Sequence, residues 1–324
     1  MKCINKYSLA IIICIFPLIF GYGCKDKDLE FKFDRKAESS SISISDSDSI
    51  HTYAEPFAKD LCVDMGDYAD INIPTSYAAG LFDINRKRVI YGKNMYEEMT
   101  PASITKLLTT LVALKYCDLN KTLEFTKACE INESGAQKLN LKPGDTMTLE
   151  QALNILLLYS ANDVALMIAE NYDGGYDAFI DKMNEEAAAI GATHTHFVNP
   201  HGLTEEEHES SVYDLYLILN ELVKYEKFVS IVSQPGYTTS FTRADGSIKT
   251  LEIKSTNLYF EGKASVPEGY TILGGKTGTT SAAGKCLIVY FQDSAGNPYI
   301  SCILRSDDHD TLYEDMNTLI TNAK

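Results

Sequence analysis

Ser103 and Lys106 stand three residues apart in the stretch "MTPASITKLL" (99–108), where a lysine interrupts what otherwise reads as the start of a buried helix. Pro101 opens the stretch, and Ile104, Leu107, Leu108, Leu111 and Val112 supply an apolar stripe at helical spacing. Residues i and i+3 are neighbours on a helix surface, so hydroxyl and amine meet on one turn without help from the tertiary fold. A serine hydroxyl is a weak nucleophile until a base takes its proton. Lysine can be that base when burial and nearby positive charge lower its pKa. A helix N-terminus adds partial positive charge where an oxyanion would form. The chemistry this pair suggests is acyl transfer through a serine ester.

Taken alone, the pair reads more readily as a helix-start serine beside a snorkelling lysine. Two further elements change the balance. Ser160-Ala161-Asn162 places polar groups inside the apolar stretch "TLEQALNILLLYSANDVALMIAENY" (148–172). A plain helix-to-helix connection would also explain that break. "GGKTGTT" (274–280) puts Lys276 and Thr277 on an expected strand, where Gly278 permits close backbone approach. An isolated Lys-Thr-Gly carries little information. All three elements, in this order, form a set known from serine acyl-transfer enzymes.

The surrounding pattern supplies the elements that must hold these groups. "AAGLFDINRKRVIYGKN" (78–94) reads as a hairpin turning at Asn85-Arg86. Thr148 and Gln151 form a capping-box start for the helix that runs to the Ser160 break. Phe179, Ile180, Met183, Ala187 and Ile190 line one face of a helix that Gly191 stops, and Ser211 with Asp214 caps another. From residue 236 the pattern turns to strands: "YTTSFT", "TLEIK", "GGKTGTT", "CLIVYF" and "YISCIL". "DTLYEDMNTLI" closes the chain as a helix. Strands at both ends with helices between predict an α+β fold. One antiparallel sheet is built from N- and C-terminal segments and flanked by helices, an all-helical lobe is inserted, and the active site lies between the lobes.

The 324 residues and 45% hydrophobic content suffice for one large domain or two lobes. Formal net charge is -16, and only five of the 29 basic residues are Arg, which argues against nucleic acid as a partner. Lys2 and Lys6 precede "YSLAIIICIFPLIFGYG", which reads as an export signal over residues 1–24. Gly23-Cys24 resembles the end of a bacterial lipoprotein signal, with Gly21 where Leu is usual. Lipidation at Cys24, ordinary cleavage and an uncleaved anchor all put the rest of the chain outside the cytoplasm. Residues 25–58, rich in Ser and Asp, read as a disordered tether, which leaves 59–324 as the catalytic domain. Cys62, Cys117, Cys129, Cys286 and Cys302 are too sparse for a disulfide framework. Cys286 and Cys302 could face each other across a hairpin, but two small buried thiols are the simpler reading.

From about residue 75 to its end the chain resembles the serine-type D-Ala-D-Ala carboxypeptidases, the low-molecular-mass penicillin-binding proteins of peptidase family S11. "PASITKLLT", "GDTMTLEQALNILLLYSANDVALMIAE", "FIDKMNEEAAAIGATHTHFVNPHGL" and "GGKTGTTSAAGKCLIVY" carry the resemblance. "NPHGL" (199–203) points to the carboxypeptidases rather than the β-lactamases. The resemblance implies a β-lactamase/transpeptidase-like fold with Ser103 as acylated nucleophile and Lys106 as its base. It implies that Ser160 relays a proton to the leaving D-alanine and that Asn162 holds the substrate amide and Lys106. Lys276 would supply positive potential, and Thr277 would bind the terminal carboxylate beside Gly278. The backbone N–H groups of Ser103 and Thr279 would form the oxyanion hole. It implies peptidoglycan stem peptides as substrate, β-lactams as covalent inhibitors, a cell-envelope location with an N-terminal membrane anchor, and neither metal nor cofactor. Relatives carry an arginine near the last strand, where this chain offers Arg305.

Three rivals remain at this stage. A class A-like β-lactamase would need a glutamate in an E-x-x-x-N loop after Ser160; Glu150 and Asn154 have the spacing but precede it. A zinc peptidase could use His194, His196 and His201, although H-x-H is a poor zinc motif. A catalytically inactive wall-binding homologue would have kept the fold without the intact motifs.

Overall fold

The computed structural model describes residues 61–323; the export segment over 1–24 and the tether over 25–58 lie outside them. In chain order the strands are β1 (Ala78–Asp83), β2 (Arg88–Lys93), β3 (Thr122–Glu124), β4 (Thr146–Thr148), β5 (Gly236–Thr242), β6 (Ile248–Lys254), β7 (Tyr270–Thr280), β8 (Gly284–Asp293) and β9 (Pro298–Ser306). The helices are α1 (Lys106–Tyr116), α2 (Leu149–Leu158), α3 (Asn162–Glu170), α4 (Gly175–Ala189), α5 (Val212–Leu222), α6 (Glu226–Val232) and α7 (His309–Thr321). A short 3-10 turn, Ala102–Thr105, leads into α1.

The main sheet is five-stranded and antiparallel, in the order β2-β1-β9-β8-β7. The N-terminal hairpin thus pairs with the C-terminal strands, as expected. Every residue of β1 is buried, because helices cover both faces of the sheet. On one face α7 seats Leu312, Met316, Leu319 and Ile320 against Leu287, Val289, Phe291 and Ile303. On the other face α5 and α1 join a larger core that continues into the inserted lobe. Lys106 to Ala113 are all buried, so α1 runs through the middle of that core. β7 is an edge strand, and it packs against the turn that starts α1.

The expected single sheet needs one correction. β5 and β6 do not join it but form a second, four-stranded sheet in the order β3-β4-β5-β6. The reason is visible in their composition. β8 and β9, covered on both faces, are largely apolar, whereas "IKTLEIK" in β6 has one buried residue and four exposed ones. The partners β3 and β4 are three residues each, too short for periodicity to register. The inserted lobe is therefore helical with a small sheet at its margin.

Local signals set the remaining boundaries as the sequence suggests. Thr148 Oγ1 accepts the Gln151 N–H and the Gln151 side chain accepts the Thr148 N–H, which fixes the start of α2. Ser211 caps α5 by accepting the Asp214 N–H. α2 ends at Leu158, Ser160 takes a left-handed turn with φ 65°, and α3 begins at Asn162. Cys286 and Cys302 are free and buried, and Cys302 lies opposite Ile288 in the β8–β9 register.

Candidate active site

Ser103 is the one residue between Pro101 and Ala113 that is not fully buried. Its neighbour Ala102 has φ 50°, a left-handed conformation that costs a non-glycine residue about 1–3 kcal/mol. Ser160, at the second motif, is likewise left-handed. Two strained residues at the two motifs mark places where surrounding contacts overrule local preference.

Lys106 is fully buried, and its Nζ has three partners. It lies 2.8 Å from Ser103 Oγ, 2.7 Å from Asn162 Oδ1 and 2.5 Å from the His201 carbonyl oxygen. The geometry decides how a neutral amine would be used. Both carbonyl oxygens can only accept, so they take the two hydrogens of an uncharged amine. The lone pair is then left for the Ser103 O–H. Burial pushes Lys106 well below the ordinary lysine value, and the charge of Lys276 pushes the same way, against an opposing pull from Asp163. A base of that kind removes the serine proton without an adjacent histidine.

The other two motifs close on the same point. Lys276 is buried on β7 and donates to Ser160 Oγ at 2.9 Å and to the Thr277 carbonyl at 2.9 Å. Burial lowers Lys276 to about 7. Thr277 Oγ1 is 2.7 Å from Thr256 Oγ1, and the Thr256 N–H donates to the Leu158 carbonyl at the end of α2. Gly278 has no room for a side chain: a Cβ there would lie 2.9 Å from the Pro101 oxygen and 3.2 Å from the Ser103 nitrogen. The strand and the turn bearing Ser103 are in direct contact at that glycine. Thr279, the next residue, is exposed beside the cleft and pairs with Lys285.

Sequence reasoning missed several supporting groups. The His201 carbonyl is the third partner of Lys106, and nothing in a residue's type advertises a main-chain oxygen. The turn that presents it is held by Asn199, whose side-chain oxygen accepts the Gly202 N–H at 2.7 Å, and by Thr109, which donates to the Pro200 carbonyl at 2.6 Å. The "NPHGL" stretch was the available signal. Asp163 was also missed. It accepts the N–H groups of Leu139, Asn140 and Val164, while the Asn162 N–H donates to the Gln137 carbonyl. This fastens the 137–140 segment against the second motif.

Other residues singled out in the sequence lie elsewhere. Glu150 pairs with Lys227 of α6 and is partly exposed, and Asn154 donates to the Glu150 carbonyl at 2.8 Å. His194 packs near Tyr96, His196 pairs through its backbone with Glu209, and His201 Nδ1 accepts the Leu203 N–H. No group of three His, Cys, Asp or Glu side chains is placed to hold a metal among the described residues. The Arg305 guanidinium lies over the Tyr77 ring, 5.4 Å from its centre.

Two buried histidines give the site an expected acid sensitivity. Burial lowers His201 to about 3 and His208 to about 4. The unfolded chain therefore takes up these protons first as pH falls below about 6.5. Their contribution is complete above that pH and is lost on descending to pH 4 and 3, about 3 kcal/mol for His208 alone. Urea midpoints are expected to fall from pH 6.5 to 4.5, with a shallower slope in His208→Gln. Parallel curves would contradict this.

A serine hydroxyl held against a buried lysine, with a second buried lysine donating to a second serine, is the arrangement found in Ser–Lys acyl-transfer enzymes. The chain belongs to the D-alanyl-D-alanine carboxypeptidase family, peptidase family S11, which it matches over residues 70–307. It is 33% identical over 199 residues to the D-alanyl-D-alanine carboxypeptidase DacF of Bacillus subtilis (strain 168), a match covering 60% of this chain and 50% of that one. The match thus spans about half the length of that relative. To DacB2 of Mycobacterium tuberculosis, also a D-alanyl-D-alanine carboxypeptidase, it is 33% identical over 208 residues, 64% of this chain and 67% of the other. Among solved structures, the Streptomyces K15 DD-transpeptidase superposes with a TM-score of 0.73 at 25% identity, covering 79% of this chain and 99% of that one. The mixed α+β fold of antiparallel sheets and helices is that of the K15 enzyme.

Proposed function

We propose that the protein is a serine-type D-alanyl-D-alanine carboxypeptidase that removes the terminal D-alanine from peptidoglycan stem pentapeptides. Neutral Lys106 takes the Ser103 proton as Oγ attacks the carbonyl carbon of the penultimate D-alanine. The developing oxyanion is received by the N–H groups of Ser103 and Thr279, donors worth about 3 kcal/mol each in such sites. Asn162 orients the substrate amide, Thr277 binds the terminal carboxylate, and Lys276 supplies positive potential. As the C–N bond breaks, the proton held on Lys106 passes by way of Ser160 to the departing amine. Water then attacks the ester on Ser103, giving the tetrapeptide and restoring the hydroxyl. β-Lactams acylate the same oxygen but leave it slowly. Residues 59–324 form the catalytic domain of this reading, held at the outer face of the cytoplasmic membrane by the N-terminal segment or a lipid on Cys24.

The observation that carries the proposal is the convergence on one amine: Lys106 Nζ touches Ser103 Oγ, Asn162 Oδ1 and the His201 carbonyl. Free D-alanine released from a stem pentapeptide tests it. Release is expected from the intact protein, and Ser103→Ala is expected to lower it by about 10³-fold or more at unchanged melting temperature. Equal release by the two proteins would end the proposal.

A further inference from the structure

We infer that His208 is a positioning residue for the oxyanion donor: through the Thr105 hydroxyl it fixes the peptide between Ala102 and Ser103. This rests on the acylation of Ser103 proposed above.

The hydrogen-bond directions are forced. His208 is buried, with its ring stacked on Phe197 at 4.8 Å between centres. Its Nδ1 receives the Val198 N–H at 3.2 Å. A backbone N–H can only donate, so Nδ1 carries no proton and Nε2 carries the only one. Nε2–H therefore donates to Thr105 Oγ1, 2.8 Å away. The Thr105 hydroxyl donates in turn to the Ala102 carbonyl at 2.9 Å. With burial holding His208 at about 4, the ring stays neutral and this direction persists at physiological pH.

The end of the chain is the peptide that matters. A trans peptide is planar, so its oxygen and its N–H point opposite ways. Fixing the Ala102 carbonyl oxygen fixes the Ser103 N–H. Gly202 packs against that oxygen and the Thr105 hydroxyl together, since a Cβ at 202 would lie 1.9 Å from the oxygen and 2.9 Å from Thr105 Oγ1. Ala102 is left-handed and would relax if the grip were released. The Ser103 nitrogen faces the strand at Gly278, next to the second proposed donor on Thr279. The ring's hydrogen bonds go to Val198 and Thr105, so its effect on the Ala102–Ser103 peptide passes through Thr105.

The test uses two side-chain isosteres. Glutamine places an amide N–H near Nε2 and can still reach Thr105. Asparagine places its amide near Nδ1 and cannot. With a fluorescent penicillin as probe, His208→Asn and Thr105→Val are expected to slow acylation about tenfold to a hundredfold. The dissociation constant of the complex that precedes acylation should not change, because the oxyanion forms only in the transition state. His208→Gln and Thr105→Ser are expected to recover most of the rate. A crystal structure of His208→Asn should show the Ala102–Ser103 peptide rotated, and that of His208→Gln should show it in place. Equal rates in the Asn and Gln variants, or an unmoved peptide in His208→Asn, would overturn the inference. Failure of the unaltered protein to be labelled would count against the proposed activity, and the two crystal structures would still decide the role of His208.

Discussion

Replacing Lys106 by methionine is expected to slow acylation of Ser103 about 10³- to 10⁴-fold, the range lost when a positioned general base is removed. Methionine matches the lysine stem in length and suits the apolar surroundings of α1, so the fold should survive. What disappears is the lone pair that two fixed carbonyls, Asn162 Oδ1 and the His201 oxygen, leave facing the serine hydroxyl. The rate of labelling by a fluorescent penicillin, measured beside a melting curve, checks this. Labelling within about tenfold of the intact protein would mean that another group takes the proton.

Gly202→Ala is expected to be the most damaging single-methyl change in the site. The residue has φ 85°, and its added Cβ would sit 1.9 Å from the Ala102 oxygen. That contact is with backbone, which cannot swing aside. The left-handed conformation alone costs alanine about 1–3 kcal/mol, and overpacking adds about 1–3 kcal/mol. The 199–203 turn must retreat, taking the His201 carbonyl away from Lys106. Stability and acylation should therefore fall together. Gly246→Ala is the control: φ is 80° there, but nothing lies within 4 Å of an added Cβ. It should lose only the conformational part, about 1–3 kcal/mol, and keep its acylation rate. Denaturant unfolding of both variants separates clash from conformation, and equal losses would contradict the contact argument.

What the sequence made legible, and what it hid, follows from the kind of group involved. Ser103 with Lys106 could be read because helical geometry alone brings i and i+3 together. The break at Ser160 could be read because polar groups interrupt an apolar run, and the structure turns the chain there between α2 and α3. Lys276, Thr277 and Gly278 could be read because the strand around them is strongly patterned. The meeting of these three motifs is tertiary, and only the known set joined them beforehand. The His201 carbonyl was hidden because every residue carries one. His208 was hidden because a histidine before a helix cap has many uses. The marginal sheet was hidden because β3 and β4 hold three residues each and β5 and β6 are mostly polar.

Two buried lysines facing two serines also explain why the site is costly to build. Each amine is taken out of water, and each is lowered by that burial. Lys106 and Lys276 are nonetheless satisfied by carbonyl and hydroxyl oxygens rather than by carboxylates. A carboxylate partner would hold an amine in its charged form and remove its use as a base. Asp163 is close enough to influence Lys106, yet its oxygens are occupied by the backbone N–H groups of Leu139, Asn140 and Val164. Among the described residues no carboxylate thus sits in direct contact with Lys106 Nζ, the amine that the proposed reaction needs uncharged.

Mass spectrometry of the protein after incubation with benzylpenicillin addresses the central claim most directly, because opening a β-lactam ring on a serine adds the whole drug and expels nothing. The expected result is one added penicilloyl group per chain, mapped to the peptide containing Ser103 and absent from Ser103→Ala. An unmodified protein, or an adduct that persists when Ser103 is replaced, would contradict the account.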